Sequence, residues 1–392
     1  MRTLLLLLAL PLLLAAQEWE TLAPLPAPRY SGAAVEFNGD IYYIGGSATG
    51  GVKTRSVFVY DTTANTWSVG DSMLEARHRF GAAACGCRIY VFGGWGAGGE
   101  LLNTGEYYDP GTGEWTPIET LPTPRASVFS GYSGGKVWCI GGREQSPNGL
   151  DDNLAFDPIF ETWEQQAPMP TARSEGMTGT PDGKLLCIGG TPDGISVTGA
   201  AELYDPETDG WTTKSPMPTA RMGGGCATQD NKSYVYGGVD STGSAVAANE
   251  YFNLFAGRWY WDVPLTSPRR FNAGCLSEFH WMYTFGGLDA QGQPMDLVQR
   301  LQIPMAIAEP GSPTPDPRSR TPASVLDRPR VLASPFGNAG FRLEIHDATG
   351  RLVSTVIGEK TCACPDLGPG LYLLRWQSGT EDPLTAKLVL LD

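Results

Sequence analysis

Arg29, Arg77, Arg125, Arg173, Arg221 and Arg269 follow one another at intervals of 48 residues. A guanidinium offers a planar fork of donors that matches carboxylate, phosphate or sulfate. A ring of six could therefore hold an anionic ligand, or each fork could tie an acidic or carbonyl group of the fold. All six positions carry the same residue, whereas a specific site is asymmetric, so the sequence favours a structural arginine ring. Asymmetry appears immediately downstream, at Tyr30, His78-Arg79, Ala126, Ser174-Glu175, Met222 and Arg270-Phe271-Asn272. It appears again at Trp95 and at Arg143-Glu144. Arg79, Trp95, Arg143, Glu175 and Arg270 are the residue types that a sugar-acid or peptide site uses, and they are the candidate ligand-binding residues.

Other chemistry is sparsely provided. The chain has three histidines, and of these only His78 and His280 fall among the regularly spaced segments. No histidine pair sits at ligand spacing, and no phosphate-binding loop, nucleophile elbow or zinc-ligand pattern occurs. No catalytic residue, metal site or cofactor is expected. Asp193-Gly194 is explained by turn chemistry before calcium. The eight cysteines are read as mostly unbridged. Cys139 and Cys187 occupy equivalent apolar positions as small hydrophobes would. Cys226 and Cys275 should face opposite sides of their strands, and Cys85/Cys87 and Cys362/Cys364 could close only tight, strained rings. With 28 basic against 42 acidic residues the net charge is −14, which argues against duplex nucleic acid or an anionic membrane surface as main partner.

The elements that carry these residues repeat. Double glycines end an apolar run at Gly45-Gly46, Gly93-Gly94, Gly141-Gly142, Gly189-Gly190, Gly237-Gly238 and Gly286-Gly287. Tryptophans at 19, 67, 115, 163, 211 and 259 keep the same interval of 48. An aromatic recurs at Tyr60, Tyr108, Phe156, Tyr204 and Phe252, followed by Asp in four copies and by Asn253 in the fifth. Within a unit, a small-residue run ends at a hairpin signal such as Asn38-Gly39 or Gly134-Gly135. The apolar run, the aromatic-Asp strand and the Trp strand follow. Four strands per unit, six times over, predict an all-β, six-bladed propeller. Trp19 and Arg29 precede any complete unit, and the last unit lacks its fourth strand, so the N-terminal strand is expected to close the ring. One extra residue between Arg269 and Gly286 predicts a longer hairpin near Glu278, Phe279 and His280.

The glycine pair, the aromatic-Asp pair and the Trp together resemble the kelch repeat, over residues 18 to about 304. That resemblance implies a recognition propeller, or an enzyme of the galactose-oxidase or sialic-acid-mutarotase type. Copper chemistry lacks its histidines here, whereas Arg79, Arg143 and Glu175 could mimic the arginine and acidic groups of the mutarotases.

The two ends read differently. Arg2, the apolar run Leu4 to Leu14 and Ala15-Ala16 form an expected signal peptide over 1–16. Its 11 apolar residues rise about 16 Å as a helix against a bilayer core of ~30 Å. The propeller should occupy 17–304, and residues 305–328 form a proline-rich linker. Alternating strands over 329–392 predict a small immunoglobulin-like β-sandwich. Its stretches HDATGRLV, DLGPGLYLLRW and TAKLVLLD resemble the type A sorting domain of the type IX secretion system, although Ser334-Pro335 stands where that family opens with Asn-Pro. The expectation is an exported, non-catalytic recognition propeller for an extracellular protein or glycan, addressed to the secretion machinery by its tail. The alternative is a carbohydrate-active kelch propeller.

Overall fold

The structure is a computed structural model. It describes residues 17–303 apart from Cys87, Glu278 and Phe279, and, beyond them, the backbone of seven strands. The propeller region is six four-stranded antiparallel sheets. Blade 1 consists of Ala33–Phe37, Asp40–Ile44, Val57–Asp61 and Thr66–Gly70. Blade 2 consists of Gly81–Cys85, Arg88–Phe92, Gly105–Asp109 and Glu114–Ile118. Blades 3 to 5 follow at the same interval and start at Phe129–Ser133, Met177–Gly179 and Gly225–Gln229. Blade 6 holds Ala273–Leu276, Trp281–Phe285 and Val298–Gln302. No α-helix occurs among the described residues, and no helix there is long and apolar enough to cross a membrane.

The repeat spacing has a direct geometric cause. In five blades the aromatic of the third strand lies opposite the tryptophan of the fourth, as in Tyr60↔Trp67 and Phe252↔Trp259. The ring centroids are 4.9–5.4 Å apart. A cross-strand aromatic pair stabilises a sheet and fixes its register. Each of the six indoles also donates from Nε1 to a carbonyl near the end of the previous blade's last strand, for example Trp115 to Asp71 at 2.8 Å and Trp211 to Ala167 at 2.8 Å. One side chain thus serves both packing and blade-to-blade attachment.

The sixth blade is completed from the other end of the ring. Glu20–Thr21 pairs with Arg300 and Gln299, and Leu22, Leu25 and Arg29 continue the attachment by donating to Val298, Asp296 and Met295. The pairing hides an otherwise open sheet edge. Trp19 is buried against Tyr236, Leu265, Met282, Leu301 and Ile303, and its Nε1 donates to Val263 at 2.9 Å. The additional residue of this repeat falls in the first hairpin, between Leu276 and Trp281; Glu278 and Phe279 themselves lie outside the described residues.

The first strands of the blades surround a central cavity of 240 Å³. Cys139, Cys187, Cys226 and Cys275 are free thiols, and burial pushes Cys139 and Cys187 up to about 12. Beyond the ring, Ala323–Val325, Leu384–Leu390, Gly370–Gln377, Phe341–Asp347 and Leu352–Gly358 form one sheet in that order, the first pair parallel. Val331–Ala333 pairs with Thr361–Ala363. Ala323–Val325 falls inside the stretch read as linker. Residues 1–16 and 304–322 lie outside the described residues.

Closure by residues 17–28 sets an expectation for Trp19. Trp19→Ala removes a buried ring and a hydrogen bond, and should lower stability by about 3–5 kcal/mol. Urea unfolding checks this; a midpoint equal to the parent's would contradict closure through this residue.

Candidate functional site

The six arginines are buried, with 0–8% of each residue exposed. Arg77 bonds Glu106 at 3.0 Å, Arg221 bonds Glu250 at 2.5 Å, and Arg173 bonds Glu202. These acids lie 29 residues beyond their arginines, on the third strand of the blade the arginine enters. Where that position is not acidic the partner changes. Arg125 uses Asp152 at 2.9 Å, Arg29 lies over the Phe58 ring, and Arg269 bonds Gln299 at 2.6 Å. Burial lowers the Arg221 guanidinium while Glu250 opposes it. Arg269, facing a neutral amide, is brought down to about 10 by burial. The backbone carbonyl of each arginine accepts from the second glycine of the preceding blade's pair, at 2.8–3.1 Å in all six junctions.

Two residues beyond each arginine, the chain turns at the axis. Ser31, Arg79, Ser127, Glu175, Gly223 and Phe271 have φ between 52° and 61°. Each N–H donates to the carbonyl of the equivalent residue one blade back, at 2.6–2.9 Å, and Ser31 closes the circle by donating to Phe271. Five of the six are not glycine, so the circle holds a conformation that costs about 1–3 kcal/mol per residue in isolation. The side chains of this ring line a mouth pocket of 120 Å³.

Two of the candidate residues meet there. The guanidinium of Arg79 bonds the Glu175 carboxylate and lies 4.6 Å from the Phe271 ring centroid, and Ser127 Oγ donates to Glu175 at 3.1 Å. Contacts with blades 4 and 6 thus bring the Arg79 side chain across the mouth. Ser31 Oγ is buried in this pocket with no protein partner. Trp95 and Arg143 form a second pair, with the guanidinium 5.6 Å from the indole centroid. Arg270 stands apart; its Nη1 donates to the Gly243 carbonyl at 3.0 Å. His78 lies in the ladder opposite Trp95 and contacts Ser47 Oγ through Nδ1 at 2.9 Å. Burial first, then Arg79, Lys53 and Arg143, lower the imidazole to about 4. His78 is therefore neutral at ordinary pH.

The comparisons with known proteins agree with this architecture. The KLHDC2/KLHL20/DRC7 Kelch-repeats domain matches residues 12–190, and the Kelch motif matches residues 172–218. The ring carries kelch repeats. Kelch-like protein 38 of Rattus norvegicus is 34% identical over 64 residues, which is 16% of this chain and 11% of that relative's length. The solved structure of YjhT covers 72% of this chain and 97% of its own at a TM-score of 0.65 and 18% identity. At that identity the likeness shows the fold alone.

Sequence reasoning placed Arg79 and Glu175 among the candidates without pairing them, although both sit at arginine plus two. It passed over Ser31, Ser127 and the acids at arginine plus 29, which the same period could have revealed. Among the described residues no group of three or more metal-ligating side chains is gathered. Asp193 is occupied locally, accepting from the Ile195 and Ser196 amides, and these bonds lower its carboxyl to about 2.

The arginine contacts make a graded expectation. Arg221→Ala strands a fully buried Glu250 and should cost about 3–5 kcal/mol. Arg125→Ala leaves Asp152, whose side chain is 38% exposed, and should cost about 1–3 kcal/mol. Chemical denaturation of the two variants checks the order; equal losses would contradict it.

Proposed function

We propose that this chain is an exported, non-catalytic recognition propeller whose ring mouth binds an anionic group of an extracellular glycan or protein. The observation that carries the reading is the collection of cations at one mouth of a chain with net charge −14. Arg79 lies over Phe271 and is oriented by Glu175, Arg143 lies over Trp95, and Arg270 stands apart on the Gly243 carbonyl. Opposite charge at a mouth both attracts a ligand and selects it. Aromatic faces beside it suit the apolar side of a sugar or a peptide side chain.

The second reading, a carbohydrate-active propeller such as a mutarotase-like isomerase, is favoured by the convergence of Arg79, Glu175 and Phe271. Against turnover, Glu175 is held by both Arg79 and Ser127, and the nearby His78 is a weak base. Recognition without chemistry uses all the contacts and needs no free proton acceptor. The full chain mixed with galacturonate or a glutamate-rich peptide should show a raised unfolding temperature, since saturation near 100 times Kd stabilises by about 2.7 kcal/mol. Arg143→Ala should remove the rise. Absence of any shift with either class would end the reading, and accelerated anomer exchange of galacturonate, followed by proton NMR, would replace it with the second.

The export part of the proposal rests on the N-terminal apolar run and on the resemblance of the tail to a sorting domain. In a host with the type IX machinery the full chain should reach the surface or medium. A chain lacking Lys387 and Leu388 to Leu391 should accumulate in the periplasm, as read by fractionation. Equal export of the two would leave the tail an appendage without an address.

A further inference from the structure

The mouth is not uniformly basic. Its axial cation, Arg79, is already neutralised by Glu175 and covered by Phe271. Off the axis, across blades 1 to 3, lies a connected arc of a different kind. Ser47 bridges to both Tyr30 and Lys53, its hydroxyl meets His78, His78 pairs with Trp95, and Arg143 lies over Trp95. No carboxylate forms an ion pair with Lys53 or Arg143 among the described residues. Arg143 Nε is buried without a protein partner. Glu100, on the loop after Trp95, folds back over Gly96 and Gly98, and Glu144, next to Arg143 in the chain, is exposed.

Two unneutralised cations therefore flank a neutral imidazole. In the tautomer whose Nδ1 accepts from Ser47 Oγ, the ring proton resides on Nε2 and presents a further donor. Lys53 is a compact charge with three donors, and Arg143 is a fork. Donors arriving from three blades fit an anion whose oxygens point in several directions better than a planar carboxylate, which one fork satisfies. Trp95 beside them offers a flat apolar face.

Resting on the reading of the mouth as the binding face, we propose that Lys53, His78 and Arg143, with Trp95 as floor, form a subsite for a sulfate or phosphate ester carried on a sugar ring. The ester oxygens take the two cations and the imidazole donor, and the sugar's apolar side lies on the indole. No bond is made or broken.

The test is calorimetric titration of the full chain with galactose 6-sulfate, galactose 6-phosphate, galactose and inorganic sulfate. Either or both esters should bind at least 10-fold more tightly than galactose, and the ratio between them identifies the ester. Lys53→Gln and Arg143→Gln should each weaken ester binding about 10-fold, while Trp95→Ala should weaken the esters more than inorganic sulfate. Lys136→Gln, which alters a cation on the first hairpin of blade 3, should change nothing. Esters no tighter than galactose, or an equal loss with Lys136→Gln, overturn the subsite. If galacturonate binds and neither ester does, the subsite is wrong and the mouth reading stands; if no anion binds, both fall.

Discussion

Each repeat arginine belongs to two blades at once, and the ring depends on that double membership. Its carbonyl accepts from the glycine pair of the blade behind, while its guanidinium bonds inside the blade ahead, as Arg173 does with the Gly189 and Cys187 carbonyls and Glu202. The glycines are required by this contact. A Cβ on Gly189 would stand 2.4 Å from the Arg221 carbonyl oxygen, and φ there is +63°. Burying a guanidinium costs several kcal/mol unless its donors are met, so the arrangement is stable only when both neighbouring blades are in place. A propeller built this way gains its junctions cooperatively, and the N-terminal strand matters because it supplies the last of them.

The circle of backbone hydrogen bonds at the axis works on the same period but frees the side chains. Ser31, Arg79, Ser127, Glu175, Gly223 and Phe271 share one conformation and one bonding pattern, yet no two neighbours are alike. Because the main chain does the structural work, the side chains at these positions are not needed for closure. The arginine two residues earlier is uniform because its side chain is part of the fold. Uniformity and variation along the repeat thus separate the side chains that hold the ring from those that closure leaves free to vary.

That separation is why the fold was largely legible in the sequence and the site only in part. The seven-residue step from Tyr60 to Trp67 is a cross-strand pair seen along the chain, and the missing fourth strand after Gly287 foretold closure by residues near Trp19. Period alone could place Arg79 and Glu175 on one circle. Their pairing, however, follows from which two of six positions carry opposite charge and from the length of an arginine side chain reaching across the axis. Arg270 shows the opposite outcome. Its backbone position matches His78 and Ser174, but its guanidinium is drawn to the Gly243 carbonyl of the neighbouring loop, a contact set by loop shape that no repeat rule encodes.

The two cation pairs of the mouth also differ in what they leave available. Arg79 gives its charge to Glu175, so the axis is electrically quiet and mechanically closed. Arg143 is stacked on Trp95, which orients the guanidinium without neutralising it, because a ring quadrupole attracts a cation and leaves its charge in place. Burial first, then Arg79, Lys53 and Arg143, lower the His78 imidazole, and the three cations spread positive potential over the rim of blades 1 to 3. In a chain with fourteen excess negative charges, an unneutralised positive rim repels nothing but cations and is screened least where side chains are half-buried. The unneutralised charge of this face therefore lies off the axis, on residues that differ from blade to blade, while the axis itself is closed by the Arg79–Glu175 pair.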